Sequence, residues 1–120
     1  MKHPAVYIMT NQKRGTLYTG VTSDLPGRVY QHREGLLGGF TKVYGLKRLV
    51  WCDVHGAMAS AIQAEKRIKR WRRLWKIALI ERANPDWRDL WFELLPQPSS
   101  RKAEGLSGTQ GLNFSTEPPG

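Results

Sequence analysis

Residues 5–11, AVYIMTN, run through apolar and β-branched positions with hardly a break, and residues 15–22, GTLYTGVT, do the same. Both read as strands. Between them NQKRG supplies turn chemistry, so the two are expected to form a hairpin. A four-residue loop, Asn11–Arg14, sets Thr10 opposite Gly15 and Tyr7 opposite Tyr18. Opposed residues point to one side of a sheet, so the two tyrosines share a face. A slip of one residue would separate them.

SDLPGRVYQHREG (23–35) follows. Ser23 or Asp24 can cap a helix, Pro26 is tolerated in its first turn and Gly35 can end it. Arg28 and His32 are four apart, hence on one helical face, and Leu25 and Val29 form an apolar pair on the same spacing. LLGGFTKVYG (36–45), with three glycines, reads as a loop. LKRLVWCDV (46–54) reads as a third strand, mostly buried from Leu49 to Cys52.

From Ala57 the period becomes helical. Met58, Ile62, Ile68, Trp71 and Trp75 define a broad stripe, and Glu65 falls in its middle. The opposite face is basic. The stripe drifts near Arg72–Leu74, which predicts a bend and a further helix over about 74–83. Asn84 and Pro85 then read as the cap and first residue of a last short helix. From Pro96 onward Gly, Ser, Pro and Thr dominate, which predicts one folded domain over 1–95 and a disordered tail over 96–120.

Composition changes the picture in two ways. Lys and Arg number 19 against 10 Asp and Glu, a net charge of +9. The tail carries two of each sign, so the whole excess sits on the folded part. That suggests a polyanionic partner, against the plainer reading of a solvated basic surface. Cys52 is the single cysteine and cannot pair internally. The N-terminus has no secretory pattern, and no stretch approaches the roughly 18 apolar residues of a membrane span. A cytoplasmic protein without a membrane partner is expected.

Glu65 is the most informative polar residue. A carboxylate on a buried stripe needs a cation or hydrogen bonds. Either it pairs with a nearby Arg or Lys, or it faces a cleft and holds a metal, Mg²⁺ being suited to a hard oxygen ligand. Taken singly, the others are ordinary. Arg28 is a surface arginine or a phosphate clamp, and His32 a structural hydrogen-bonder or a base. Tyr7 and Tyr18 are packing residues or hydroxyls that orient water. Together they match the needs of phosphodiester hydrolysis, a cation, a base and a positive clamp. Asp24, Glu34, Asp53 and Glu65 are the only carboxylates before position 80. Nothing gathers them, so one metal on one carboxylate is the economical arrangement. There is no CxxC, HExxH or GxxxxGK[ST], which argues against zinc and P-loop chemistry. His3 and His55 lack partners at ligand spacing and are expected to be exposed.

AVY (5–7) and YTG (18–20), followed by Arg28, His32 and Glu65, resemble the GIY-YIG endonuclease superfamily, in its small single-domain bacterial group of excision-repair-nuclease-like proteins. FTKVYGLKRLVW (40–51) and ALIERANPDWRDL (78–90) are similar to the same group, so the resemblance runs from about Val6 to Trp91. It implies an α/β (α+β) fold, a three-stranded antiparallel sheet flanked by helices. It implies Tyr7 as general base or its hydrogen-bonding partner, Tyr18 as the positioner of water or phosphate, Arg28 as transition-state stabiliser, His32 as activator of the base and Glu65 as metal ligand. The activity implied is Mg²⁺-dependent DNA cleavage, with Mn²⁺ as a substitute, in repair or recombination. Ala5-Val6 stand where the name-giving Gly-Ile would be, and Thr19 where Ile is usual. Some members carry an asparagine after the metal helix; Asn84 is the nearest candidate, though its place before Pro85 suits a cap.

No second DNA-binding domain is visible. Lys66, Arg67, Lys69, Arg70 and Arg73, with Lys42 and Lys47, would supply phosphate contacts, which give affinity without sequence reading. A weakly specific nuclease is expected, acting on single-stranded or branched DNA or aimed by a protein partner. The alternative is a non-catalytic nucleic-acid-binding module or adaptor on the same fold. Trp71 with Trp75 and Trp87 with Trp91 are spaced for helical core pairs rather than base stacking.

Overall fold

The computed structural model describes residues 3–94. The tail assigned to 96–120 lies outside the described residues. The chain forms β1 (Ala5–Thr10), β2 (Leu17–Thr22), α1 (Leu25–Arg33), α2 (Phe40–Val43), β3 (Arg48–Val54), α3 (Met58–Arg70), α4 (Arg73–Ala83) and α5 (Trp91–Leu94). The sheet is antiparallel in the order β2-β1-β3. This is the expected α+β fold.

β1 is central because it is apolar on both faces, and every one of its residues is buried. Val6 and Ile8 face a cluster built with Ala64, Ile68, Ile77, Leu79, Ile80 and Trp87 from the α3–α4 side. Ala5, Tyr7 and Met9 face a second cluster with Leu25 and Val29 of α1, Leu46 and Leu49. A bulge at Val50 lets consecutive residues Val50 and Trp51 join the first cluster while Leu49 joins the second.

The hairpin register differs from the expected one. Tyr7 pairs with Gly20, and Met9 pairs with Tyr18. The loop has six residues because Asn11 Oδ1 accepts from Thr16 N–H at 3.0 Å, and Gly15 N–H donates to Gln12 O at 2.8 Å. The shift is two residues, and strand side chains have a period of two. Tyr7 and Tyr18 therefore still share a face.

Four further expectations are corrected. The segment 36–45 is not all loop, since α2 forms within it. The buried positions of α3 are Ala61, Ala64 and Ile68, so Glu65 lies at the edge of the stripe rather than its middle. The two alanines are small enough to bring α3 close to the sheet. No helix starts at Asn84. It ends α4, and its side chain donates to Val50 O at 3.0 Å and Arg88 O at 2.9 Å and accepts from Arg88 N–H. Trp87 is held buried in the left-handed region at φ 56°, its indole donating to Glu81. Trp87 and Trp91 consequently go to different clusters, whereas Trp71 and Trp75 do meet edge to face at 6.1 Å.

Asn84 is buried; its bond to Val50 O ties the end of α4 to β3, and its two bonds with Arg88 hold the turn that follows. Asn84→Ala is expected to cost about 2 kcal/mol, because it strands buried backbone groups. Thermal melting should show a midpoint roughly 10 °C lower.

Candidate active site

Tyr7, at 1% exposure, points from the central strand into the α1 side of the sheet. Its ring lies directly over Gly20. A Cβ at that glycine would stand 2.5 Å from the Tyr7 hydroxyl and 2.6 Å from Cζ. A glycine inside a strand marks such a close approach. Across the gap, the Tyr7 hydroxyl is hydrogen-bonded to His32 Nε2 at 2.9 Å.

His32 reaches that point because α1 is fixed at both ends. Asp24 Oδ1 accepts from Gly27 N–H at the start, and Leu25 and Val29 are buried below. Gly35, at φ 69°, takes the left-handed position after the last turn. His32 is 4% exposed, and its Nδ1 has no hydrogen-bond partner among the described residues. Arg28, one turn earlier and half-buried, has no hydrogen bond or ion pair among the described residues. Its guanidinium is near enough to act on both Tyr7 and His32. Tyr18 completes a ring triangle, 6.3 Å from Tyr7 and 5.5 Å from His32.

Glu65, with its side chain 12% exposed, is ion-paired to Lys69 at 2.5 Å. Lys69 Nζ also lies 6.0 Å from the Tyr18 ring centre. Both alternatives for Glu65 are thus in view: a cation satisfies it, and its charge reaches the Tyr7 site. Among the described residues no three metal-ligating side chains cluster. A cation here would therefore have Glu65 as its one carboxylate and keep most of its waters, as Mg²⁺ does. Lys69 would have to release the carboxylate.

The electrostatics set the protonation states. Burial, with Tyr18 and Glu65 adding to it and Arg28 opposing, pushes the Tyr7 hydroxyl well above its ordinary value of 10. Tyr7 is a neutral phenol at pH 7. Burial and then the Arg28 charge depress His32 from 6.5 to about 4. His32 is therefore neutral at pH 7 and able to accept a proton at Nε2. The unfolded chain takes up this proton at higher pH than the folded one. The stability His32 contributes is complete above pH 6.5 and is lost as the pH falls through about 4. Imidazole NMR titration should give His32 a midpoint near 4, well below that of an unperturbed histidine.

The basic residues divide. Lys66, Arg67 and Arg70 are exposed along α3, and Lys42 and Lys47 are exposed on α2 and ahead of β3. Lys69 belongs to the site through Glu65. Arg73 donates to the backbone carbonyl of Arg14, so it is committed to the hairpin loop. Asn84 is tied to Val50 and Arg88. His55, expected to be exposed, is half-buried with Nε2 3.2 Å from Asp53 and Nδ1 3.0 Å from Ser60. Cys52 is packed, and burial pushes its thiol up to about 12, so it is unreactive. Gly20 is the residue that reasoning from sequence passed over, although a glycine amid β-branched neighbours was the signal.

The GIY-YIG catalytic domain family matches residues 3–78, a span that holds Tyr7, Tyr18, Arg28, His32 and Glu65. The chain belongs to the GIY-YIG family. GIY-YIG domains are nucleases, and DNA is the substrate the family implies. A UPF0213 protein of Aeromonas salmonicida is 29% identical over 86 residues, covering 70% of this chain and 63% of that protein. A UPF0213 protein of Staphylococcus aureus is 34% identical over 67 residues, covering 56% of this chain and 82% of that protein. Those names state no activity. No solved structure matches the chain. Among GIY-YIG residues, Gly20 ends the second motif here, and its contact with Tyr7 of the first gives a physical reason for a glycine at that place.

Proposed function

We propose that this GIY-YIG protein is a DNA endonuclease that hydrolyses phosphodiester bonds with one Mg²⁺, or Mn²⁺ in its place, and with little sequence preference. The hydrogen bond between the Tyr7 hydroxyl and His32 Nε2 carries the reading. It links a phenol to a neutral imidazole inside a site flanked by the Arg28 guanidinium. Tyr7 takes a proton from the attacking water as its own proton passes to His32 Nε2. The water oxygen bonds to phosphorus, the opposite P–O bond breaks, and the departing oxygen is protonated from solvent. Arg28 faces the charge that builds on the phosphoryl oxygens. The phosphate in turn offsets the Arg28 charge that depresses His32, so substrate makes the imidazole a better acceptor. Tyr18 orients the water or the phosphate. Glu65 would hold the hydrated cation, which supplies positive charge at the leaving oxygen.

Exposed Lys66, Arg67, Arg70, Lys42 and Lys47 support phosphate contacts that carry no sequence information. We assign it to the cytoplasm, in repair or recombination, with a protein partner setting the target. The Glu65–Lys69 ion pair favours a second reading, in which an internal lysine occupies the carboxylate and the domain binds without cutting.

The test is a cleavage time course on supercoiled plasmid, single-stranded and branched DNA with Mg²⁺, Mn²⁺ or chelator, beside Tyr7→Phe. Cutting should require the metal and fall about 100-fold or more in the variant. Cutting that survives chelator would sink the metal-dependent reading. Binding without any cutting would favour the second reading.

A further inference from the structure

Helix α2 is anchored by residues other than its aromatics. Thr41 is buried, its carbonyl accepts from Leu46 N–H at 2.9 Å, and Leu46 is buried in the Tyr7-side cluster. Phe40 and Tyr44 stay 49% and 51% exposed. They are four apart, so their rings meet, with centres 4.8 Å apart. Phe40 in turn lies 6.5 Å from Tyr18 with planes 32° apart. The three rings form a line from the surface into the site, ending on a residue of the Tyr7–His32 triangle. A core would have buried these rings; here each stays half-exposed.

The charge around the line narrows what covers it. Lys42 lies within α2 and Lys47 just after it, both exposed. No residue from Gly35 to Cys52 is acidic. An apolar patch flanked along the chain by Lys42 and Lys47 is unfavourable ground for a second copy of a basic chain. It suits a ligand that is flat and apolar in one part and anionic in the next. Unpaired bases on a phosphate backbone have that chemistry, and aromatic stacking with a basic track is how such strands are held. Paired bases are stacked on each other and offer no free face.

We propose that Phe40 and Tyr44 form a stacking platform, continuous with Tyr18, for unpaired bases next to the scissile phosphate. The substrate class is therefore single-stranded nucleic acid or a junction with an unpaired arm, rather than continuous duplex. This rests on the nuclease reading for the position of the scissile bond, but not for the binding itself.

Binding is measured in chelator, where nothing is cut, by anisotropy of a labelled twenty-nucleotide oligo-dT and of a duplex of the same length. Phe40→Ala and Tyr44→Ala should each weaken oligo-dT binding by about tenfold, and the pair by about 100-fold. Duplex binding should change less than about twofold. Phe40→Trp should keep oligo-dT affinity and show fluorescence quenching by oligo-dT. Circular dichroism and melting check that each variant is folded. A folded double variant that binds oligo-dT like the parent overturns the platform. So does a parent that sediments as a dimer, with the double variant monomeric and oligo-dT affinity unaltered, because the patch is then a self-association face. If the platform variants behave as expected while Tyr7→Phe cuts like the parent, the stacking surface stands and the proposed chemistry falls.

Discussion

Glu65→Gln is expected to lower metal-dependent cleavage about a thousandfold or more, because on the proposed mechanism the several kcal/mol that a bound metal would contribute disappear with the carboxylate that would hold it. Glutamine has the same shape, so packing beside Ala64 and Ile68 is kept. The ion pair with Lys69 is lost, but Lys69 is half-exposed and that pair contributes at most about 1 kcal/mol to stability. The fold should survive, and the melting midpoint should move by no more than about 8 °C. DNA binding in chelator should hold or strengthen, since one negative charge is removed from a basic surface. Mn²⁺ binding followed by electron paramagnetic resonance should weaken in parallel with cleavage. A Gln variant that cuts at the parental rate would remove Glu65 from the metal site and leave it as the partner of Lys69 alone.

Gly20→Ala is expected to damage both stability and activity. The added Cβ would stand 2.5, 2.6 and 2.9 Å from the hydroxyl, Cζ and Cε1 of Tyr7. Those are ring atoms of a residue with no free space, in the middle of the central strand. Tyr7 must rotate away or the hairpin must part from it, and either movement breaks the bond to His32. Overpacking of this kind costs about 3 kcal/mol, which lowers the melting midpoint by roughly 12–24 °C for a domain of this size. Cleavage should fall about 100-fold or more below the melting range, as for loss of the proposed general base itself. Gly38→Ala is the matched control, as its added Cβ meets nothing within 4 Å. A Gly20→Ala protein that melts and cuts like the parent would mean that the Tyr7 ring does not lie over Gly20 in solution.

The contrast between these residues shows what chain periodicity can carry. The shared face of Tyr7 and Tyr18 followed from strand parity, which survives a loop lengthened by two residues. The partner of each tyrosine did not follow, because the side chain of Asn11 closes the longer loop. His32 and Arg28 share a helical face by spacing alone. That the His32 ring meets the Tyr7 hydroxyl depends on how α1 docks through Leu25 and Val29. Glu65 stood out as a carboxylate near a buried stripe, yet the true stripe is Ala61–Ala64–Ile68. Small side chains carry little hydrophobic signal, and the bulkier Met58 and Ile62 drew the expected stripe off centre.

By itself, the sequence determined the hairpin, the third strand, the helices, the basic surface and the inventory of hydroxyl, imidazole, guanidinium and carboxylate. These are local or additive properties, set by the period of the pattern and the count of charges. Only the tertiary structure decided which groups meet. It put a glycine under Tyr7, brought His32 to the Tyr7 hydroxyl, buried Asn84 and left Phe40 and Tyr44 exposed beside Tyr18. Those pairings join residues up to dozens of positions apart, where packing between elements chooses the neighbour and local pattern does not.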